Sequence, residues 1–490
     1  PHLPALLLPV FRALDAEIKF ELADAGDEDG PVGGATLGQG GEDGLDTVTL
    51  NIKGFGNKRV TMNTHAVFEK AAACRILHEY AGALEEHFLE YAQPAAQRLF
   101  PLVTFQYSEE VRGAAALALG VTFGCLARAL ERGAVGPEGS PRHAEVRAAA
   151  ELYLENCVQA LVATALREEP RGEARACLAD AMREVLQFCY ESGGGLRETG
   201  RAAPPRVQLP LEKARACSML LVLRARESLK RREEEEQAFR EAQAAGGFDE
   251  EDAAVLEEAL GAEEELMGYL VDCLQLLMKG HGEAYLPVFQ AVVAPAFVPV
   301  LAGAATVYRD SQEVVLNAVC VFVDAVEWCG PGARPYAQEC LPFFVACMAQ
   351  EHAGLAQAAV YGVTQVAKRH PDLLQPEMAA VLSMLAALLE DEHAQDEDQV
   401  LVTENAVSLL GVVATTPELA GPGAAQLFAQ WLGALPLTHD AQEARDAHRR
   451  LAELAAQNHP LLAAAGGLRH VPAVLRVAAE VAARAAEGGA

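Results

Sequence analysis

Residues 317–330 read NAVCVFVDAVEWCG, and this stretch decides the fold because three further stretches repeat its pattern. They are 358-AAVYGVTQVAKRHP, 405-NAVSLLGVVATTPE and 446-DAHRRLAELAAQNH. Each reads as an apolar helix with an alanine at its second position, namely Ala318, Ala359, Ala406 and Ala447. These alanines are 41, 47 and 41 residues apart. A period of about 40 to 47 residues is typical of solenoids built from paired helices.

Another apolar helix precedes each repeated helix, for instance 336-YAQECLPFFVACMAQ before the second copy. The first half of the chain repeats the arrangement, since 69-EKAAACRILHEYAG and 112-RGAAALALGVTFGC are 43 residues apart. One such hairpin cannot bury its apolar face alone, so neighbouring hairpins must stack. The sequence therefore predicts an all-α fold, a HEAT-repeat α-solenoid in which antiparallel helix hairpins form a superhelical array.

Composition limits the classes of partner. The 490 residues carry a formal net charge of -30, which argues against direct binding to nucleic acid phosphates or to anionic membrane surfaces. Three segments hold most of it, residues 21–46 with -8, 227–265 with -11 and 390–398 with -6, so the repeats themselves are close to neutral. A basic protein is the natural complement of such charge. The alternative is that the charge only keeps a large helical protein soluble.

The predicted organisation has five parts: residues 1–22 end a HEAT repeat, 23–60 form an acidic Gly-rich loop and linker, 61–226 are HEAT repeats, 227–265 are an acidic, partly helical insertion, and 266–490 are HEAT repeats to the C-terminus. An uncharged run over 284–308 is long enough to raise the question of a membrane span. Three prolines interrupt this run, so we interpret it as a buried, bent helix and predict no membrane insertion.

Signatures of catalysis or of cofactor binding are missing from the sequence. The dipeptide Gly-Lys does not occur, which excludes a phosphate-binding GxxxxGK[ST] loop, and no GxGxxG, HExxH or GxSxG pattern is found. The eleven cysteines include no CxxC pair, and most of them lie in apolar stretches as small buried hydrophobes would. We therefore predict a binding protein of a reducing, intracellular compartment, with no cofactor, no metal and no enzymatic activity.

Two sets of polar residues are candidates for contacting a basic cargo segment. Glu313, Asn317, Asp324 and Trp328 follow one another at separations of 4, 7 and 4 on a single helix, where an acid could pair with Lys or Arg and the indole could pack on methylenes. Glu404 and Asn405 stand beside the small residue of a later repeat. The alternative for both sets is an ordinary solvated helix face, with the indole half-buried.

Longer phrases resemble the importin-β (karyopherin-β) family. The run 69-EKAAACRILHEYAGALEEHFLEYAQPAAQRLFPLVTFQYSEEVRGAAA is similar to the importin five, or karyopherin beta-three, branch. Later phrases follow in the family's order, namely 358-AAVYGVTQVA, 403-TENAVSLLGVV and 431-WLGALPLTHDAQEA with 458-NHPLL. Gly411-Val412 departs from the Gly-Lys of relatives. The resemblance covers nearly the whole chain and indicates a C-terminal portion of such a protein.

This resemblance implies a nuclear transport receptor that shuttles between cytoplasm and nucleus. Such a receptor binds basic cargo proteins with nuclear localisation signals, contacts Phe-Gly nucleoporins in grooves between outer helices, and releases cargo when Ran-GTP binds. The family's main Ran contacts lie in N-terminal repeats, which this chain is expected to lack. The alternative function is a HEAT-repeat scaffold or adaptor, such as a phosphatase regulatory subunit or an assembly factor.

Overall fold

A computed structural model describes residues 2–18, 20–24, 36–37, 45–52, 56–191, 207–244, 250–309, 311–463 and 470–487. It divides into two compact units, Pro1–Gly280 and His281–Ala490. The helices of the first unit are α1 (Leu3–Asp15), α2 (Thr64–Leu84), α3 (Leu89–Leu99), α4 (Glu109–Glu131), α5 (Pro141–Cys157), α6 (Leu166–Glu168), α7 (Gly172–Glu191), α8 (Leu211–Ala244) and α9 (Glu250–His281). A π-helical segment, Val158–Ala165, joins α5 to α6.

Helix α4 forms the centre of the first unit, packed between α2 and α7. It begins after Ser108, whose hydroxyl accepts a hydrogen bond from the Val111 amide, as an N-cap residue does. Its contact faces are rich in Gly and Ala, and small residues let helices approach closely. A Cβ on Gly124, for example, would lie 2.6 Å from the Phe188 ring of α7. Small residues on these faces therefore allow α4 to pack closely against α7.

A four-stranded antiparallel sheet follows α1 and is the one β element among the described residues. Its strands are β1 (Phe20–Asp24), β2 (Thr36–Leu37), β3 (Leu45–Ile52) and β4 (Gly56–Asn63), in the order β1-β4-β3-β2. The prediction of a loop and linker over 23–60 differs from this result. Residues 47–50 read TVTL, an alternation with β-branched residues that favours a strand. The most Gly-rich residues, 25–35 and 38–44, lie outside the described ones.

Lys70 of α2 joins the helices on either side of this sheet. Its side chain is 3% exposed. The ammonium donates hydrogen bonds to the carbonyl oxygens of Leu14 and, at 3.4 Å, Ala13, in the last turn of α1. Burial lowers the pKa of Lys70, and the nearby Asp15 carboxylate opposes that shift. A cation at a helix C-terminus meets unpaired carbonyls there, so Lys70 fixes α1 against α2.

The second unit repeats the hairpin four times and adds a final helix. Its helices are α10 (Leu286–Val288), α11 (Ala294–Gly303), α12 (Gln312–Trp328), α13 (Arg334–Cys347), α14 (Ala353–Arg369), α15 (Pro371–Leu374), α16 (Met378–Glu390), α17 (Val400–Thr415), α18 (Pro417–Ala420), α19 (Ala424–Ala434), α20 (Ala441–Ala456), α21 (Pro460–Ala463) and α22 (Val471–Glu487). The four repeated stretches of sequence lie in α12, α14, α17 and α20, which stack in that order. The HEAT-repeat α-solenoid predicted from their spacing is confirmed.

The acidic residues 227–265 extend a hairpin. Helix α8 continues to Ala244 and α9 begins at Glu250, so the two helices have 34 and 32 residues, against 17 for α12. Three helical stretches among the described residues are long and apolar enough to cross a membrane on length and composition alone: Glu109–Glu131, Glu251–Gly303 and Pro371–Glu390. In the first of these stretches, 83% of the most apolar 18 residues are buried.

Candidate functional site

Glu313 and Asn317 lie in the first two turns of α12, where they are half-buried. The Asn317 side-chain amide donates a 2.9 Å hydrogen bond to the Glu313 carbonyl oxygen. The Glu313 carboxylate lies 2.9 Å from Nε2 of His352, the N-cap residue of α14. His352 Nδ1 accepts a hydrogen bond from the Leu355 amide, so its Nε2 is the protonated nitrogen that donates to Glu313. Both polar side chains remain partly accessible to a partner.

Asp324 and Trp328 lie in the last two turns of the same helix in different surroundings. Asp324 is only 4% exposed and Trp328 is half-buried. Helix α12 instead presents Glu327, whose carboxylate accepts a 2.8 Å hydrogen bond from the Tyr361 hydroxyl of α14. The predicted set of four therefore does not form one continuous exposed stripe, because the helix turns Asp324 toward its neighbours.

Glu404 and Asn405 are built into the interior of the second unit. Glu404 is 6% exposed and accepts hydrogen bonds from the backbone amides of Thr438, His439 and Asp440, at 2.6 Å for the first and the last. Burial tends to raise the pKa of Glu404, but these amide donors together hold it below its usual value. Asn405 is 2% exposed and donates a 3.0 Å hydrogen bond to the Asp440 side chain.

Asp440 is the N-cap residue of α20, and its carboxylate accepts hydrogen bonds from the amides of Gln442 and Glu443. Glu404 and Asn405 thus hold the loop that starts α20. Their interior position removes both from the predicted cargo surface, because a buried carboxylate with three amide donors is already satisfied.

The first unit contains a larger candidate site, a groove of about 710 Å³ between α4, α7 and α9, which we call the acidic groove. Its apolar floor includes Ala114 and Leu117 of α4 and Val255 of α9, and Val255 is 66% exposed. Its ionisable lining consists of Arg75, Glu109, Glu110, Arg171, Glu173, Arg175, Glu235, Glu258 and Glu263. Six carboxylates therefore face three guanidinium groups.

Three acidic residues of the acidic groove are already paired with its cations. Arg75 lies 2.7 Å from Glu110, Arg171 lies 3.3 Å from Glu109, and Arg175 lies 2.6 Å from Glu263. The remaining three, Glu173, Glu235 and Glu258, form no salt bridge with any residue that the structure describes. The acidic groove therefore carries a local excess of negative charge above an apolar floor.

Glu263 anchors the wall of the acidic groove. It is 3% exposed and accepts hydrogen bonds from the Ser228 hydroxyl at 2.6 Å and from Arg231 at 2.7 Å, in addition to Arg175. Burial opposes ionisation, but these donors together lower the pKa of Glu263. Burial and the Glu263 carboxylate raise the pKa of Glu235. The extended parts of α8 and α9 are thus fixed to α7 through one carboxylate.

A second groove, of about 570 Å³, lies in the second unit between the turn that follows α13, helix α16 and the loop that precedes α17. Met348, Met384 and Leu388 supply apolar walls, and Asp391 and Asp396 stand at its rim. We call it the methionine groove. The Asp396 carboxylate raises the pKa of His393, whose Nδ1 lies 2.8 Å from it. No group of side chains in the part of the chain that the structure describes could hold a metal ion.

Sequence reasoning missed both grooves. Residues 85 positions apart, Glu173 and Glu258, meet in the acidic groove only because α7 and α9 belong to adjacent hairpins. The one available signal in the sequence is the excess of acid over 227–265, which predicts an acidic insertion and does not indicate the wall of a groove.

The described helices define a HEAT-type solenoid, a class of binding proteins. Comparison with known proteins narrows the class. Residues 220–302 match the family model described as importin repeat 6. The chain is 25% identical over 157 residues to the probable importin-5 homolog of Dictyostelium discoideum, an alignment that covers 31% of this chain and 14% of that protein.

The fold is similar to that of Kap121p in several solved structures. Kap121p bound to the SUMO protease Ulp1p superposes with a TM-score of 0.63 at 16% identity, over 95% of this chain and 37% of that one. Kap121p bound to Nup53p gives a TM-score of 0.63 at 16% identity, over 97% and 39%. Kap121p bound to RanGTP gives 0.62 at 15%, over 93% and 36%. The resemblance to the importin-β family is confirmed, and this chain spans less than two fifths of Kap121p.

Proposed function

We propose that this chain is part of a nuclear transport receptor, and that its acidic groove binds a basic segment of cargo. The observation that carries the proposal is that the acidic groove overlaps the residues matched by the importin repeat model. The importin repeat match over 220–302 supplies Glu235, Val255, Glu258 and Glu263 of the groove. Structures of the similar Kap121p with the protease Ulp1p and with Ste12p support a cargo-binding role for the fold.

The chemistry of the acidic groove suits Lys and Arg side chains. Their aliphatic stems can pack on Leu117 and Val255 while the charged heads reach Glu173, Glu235 or Glu258. These three carboxylates have no competing salt bridge among the described residues, so a basic guest gains new ion pairs without breaking existing ones. Glu235 is half-buried, and a pair formed there is stronger than one formed at the exposed Glu173 or Glu258.

The test is a charge reversal with a matched control. A Lys- and Arg-rich nuclear localisation peptide is titrated by fluorescence anisotropy into the wild type and into the Glu173→Lys/Glu258→Lys double variant. We expect binding to weaken by about tenfold or more, because close like charges repel where unlike charges attracted. Glu392→Lys/Glu397→Lys, which makes the same change of net charge on an exposed loop of the second unit, serves as the control. Equal losses of peptide affinity in both variants would mean that the peptide responds only to net charge, and would refute binding in the acidic groove.

The methionine groove suits a second kind of partner of a transport receptor, the Phe-Gly nucleoporins. We propose that it receives the phenylalanine of Phe-Gly nucleoporin repeats, since the groove lies between adjacent hairpins and Met side chains adapt to an aromatic guest. The solved complex of Kap121p with Nup53p supports nucleoporin binding by this fold. In a pull-down with Phe-Gly repeats, Met384→Glu should lose binding. Leu401→Glu, at a 37% exposed leucine outside the groove, should retain it.

Nuclear transport also implies a cycle of cargo binding and cargo release. We propose release of cargo by Ran-GTP, as the complex of Kap121p with RanGTP suggests, and shuttling between cytoplasm and nucleus. The proposal needs no catalytic step. Imaging of a fluorescent fusion in permeabilised cells with and without Ran-GTP would test it, because a receptor accumulates at the nuclear envelope whereas a static scaffold does not.

A further inference from the structure

The rim of the methionine groove is acidic on two sides. Glu351 lies in the turn between α13 and α14, and Asp391, Asp396 and Asp398 lie in the loop between α16 and α17. All four residues are exposed, and all four line the groove. An apolar interior is therefore bordered by carboxylates from two adjacent hairpins.

The helices around the methionine groove offer few cations to neutralise this rim. The sequence has no Lys or Arg at 335–367 or at 370–444, and none lines the groove. Lys368 and Arg369 stand in the last turn of α14. Ala356, which lines the groove, lies in the first turns of that helix, about 18 Å from Lys368 at 1.5 Å per residue. That separation is about twice the screening length of physiological salt, so these cations act weakly at the rim.

Two of the four rim carboxylates are already used within their own loop. The Asp396 carboxylate lies 2.8 Å from Nδ1 of His393, and the Asp391 carboxylate accepts a 2.7 Å hydrogen bond from the His393 backbone amide. Glu351 and Asp398 form no salt bridge with any residue that the structure describes. One unpaired carboxylate is therefore available on each side of the groove.

The interior of the methionine groove is large enough for more than one side chain. Met348 and Val402 of its lining are 0% and 2% exposed, while Met384 and Leu388 are half-buried. Its volume of about 570 Å³ lies within the range of about 300–1,000 Å³ that encloses whole small molecules. A phenylalanine fills only part of this space, so the residues on either side of it meet the rim.

A guest with cations beside its apolar anchor fits both features of the groove. The aliphatic stems of Lys or Arg can pack on the exposed Ala349 and Ala387 of the lining while the charged heads reach Glu351 or Asp398. Acidic residues beside the anchor would instead meet carboxylates of the same sign, and juxtaposed like charges oppose association. A neutral guest gains the apolar contact alone.

We propose that the methionine groove selects Phe-Gly segments in which lysine or arginine flanks the phenylalanine, and that it disfavours segments with acidic flanks. This inference rests on the proposed binding of Phe-Gly repeats by the groove and adds the chemistry of the flanking residues. The competing explanation, that the rim charge serves only solubility, predicts no dependence of binding on the flanks.

Methionine methyl groups give a readout that is confined to the groove. The chain has eight methionines, so protein labelled with ¹³C at these methyl groups gives eight signals in a methyl-TROSY spectrum, and Met384→Leu assigns the signal of Met384. A basic peptide bound elsewhere on the chain, for instance in the acidic groove of the first unit, leaves that signal in place. The dissociation constant is therefore measured at the site itself.

Four peptides are titrated at low ionic strength, where screening is weak. Three have a Gly-Phe-Gly core flanked by lysines, by serines or by glutamates, and the fourth is the lysine peptide with alanine in place of phenylalanine. We expect the lysine-flanked peptide to bind about tenfold more tightly than the glutamate-flanked one, with the serine-flanked peptide between them. The alanine peptide should not shift the Met384 signal.

The outcomes separate this inference from the Phe-Gly site on which it rests. Equal dissociation constants for the three phenylalanine peptides would overturn selection by the flanks and leave the groove as a Phe-Gly site. No shift of the Met384 signal with any of the three would refute the Phe-Gly site itself. A saturable shift with the alanine peptide would show binding by the rim without the apolar anchor, and would also overturn the proposal.

Two double variants with the same change of charge separate the rim from the net charge. Glu351→Gln/Asp398→Asn removes the two unpaired rim carboxylates, and we expect the preference for lysine over glutamate flanks to fall to about threefold or less. Glu392→Gln/Glu397→Gln removes two exposed carboxylates of the same loop that do not line the groove, so the preference should persist. An equal fall in both variants, with the methyl spectra of the free proteins intact, would overturn the role of the rim.

Discussion

At the scale of single residues, Glu404 shows how a polar residue on a helix can serve the fold. Its sequence context, beside the small residue of a repeat, suits a cargo contact equally well. The partners that decide its role are the amides of residues 438–440, more than thirty positions away. Local spacing carries no information about such a distant loop, which explains why the interior role was not predicted.

Removing the Glu404 carboxylate should weaken the second unit. In Glu404→Ala, three amides of the loop before α20 lose their acceptor, so we expect the free energy of unfolding to fall by about 2–4 kcal/mol at pH 7. Urea unfolding followed by circular dichroism measures the loss. Glu397→Ala, at an exposed residue of the same unit, is the control and should change the free energy by less than about 0.5 kcal/mol.

The effect of Glu404 should depend on pH in a defined direction. The folded state lowers the pKa of Glu404, so its stabilising contribution is present above the unfolded pKa of about 4.3 and is lost as the pH falls through the folded value. The difference between wild type and Glu404→Ala should therefore narrow below about pH 4. A difference in unfolding free energy that widens in acid would contradict the lowered pKa of Glu404 in the folded state.

At the scale of elements, close helix packing depends on glycines in the repeats. A Cβ on Gly362 of α14 would lie 2.8 Å from Val323 of α12 and 3.0 Å from Phe344 of α13. Gly362→Ala should therefore destabilise the second unit by about 1–3 kcal/mol through overpacking. Gly433 of α19 is helical and has nothing within 4 Å of its would-be Cβ, so Gly433→Ala should be neutral or slightly stabilising. Thermal unfolding of both variants is the measurement, and equal effects would argue against the packing explanation.

The extended hairpin of α8 and α9 should loosen when its anchor is removed. Glu263→Gln leaves the cations of Arg175 and Arg231 without their charged partner, and buried cations without a partner are costly. We expect faster amide hydrogen exchange in residues 227–244 and 250–262, with little change in the second unit. Glu234→Gln breaks only an exposed pair with Lys230 and should leave the exchange rates as they are. Unchanged amide hydrogen exchange in Glu263→Gln would refute the role of Glu263 as the anchor of this hairpin.

The elements differ in how far sequence determined them. Helices α12, α14, α17 and α20 follow from a helical apolar period and a recurring alanine, which depend on neighbours three and four residues away. The sequence does not predict strands β3 and β4, because the acidic, Gly-rich residues before them favour a loop over 23–60. Their alternation is confined to short runs, and pairing in register, as of Val48 with Val60, is a property of two segments together.

At the scale of the whole molecule, the net charge of -30 should make stability depend on salt. Acidic side chains repel one another at low ionic strength, and salt screens that repulsion. We expect the melting temperature to rise by roughly 2–4 °C between 10 and 150 mM NaCl, since about 1 kcal/mol shifts a large domain by that amount. Differential scanning calorimetry measures the shift, with equimolar glucose as the uncharged control. A melting temperature that falls with salt would mean that the ion pairs outweigh the repulsion.

The sheet between α1 and α2 has a consequence for how chains of this kind can change. Strand β1, which leaves α1, pairs directly with β4, which leads into α2, so Phe20 lies opposite Met62. Lys70 holds the two helices together independently of what lies between these strands. The chain from β1 to β4 therefore leaves the helical stack after α1 and rejoins it at the start of α2, beside the place where it left. Evolution can lengthen or shorten it without shifting a hairpin, and an engineer could place a reporter domain between β1 and β2 on the same grounds.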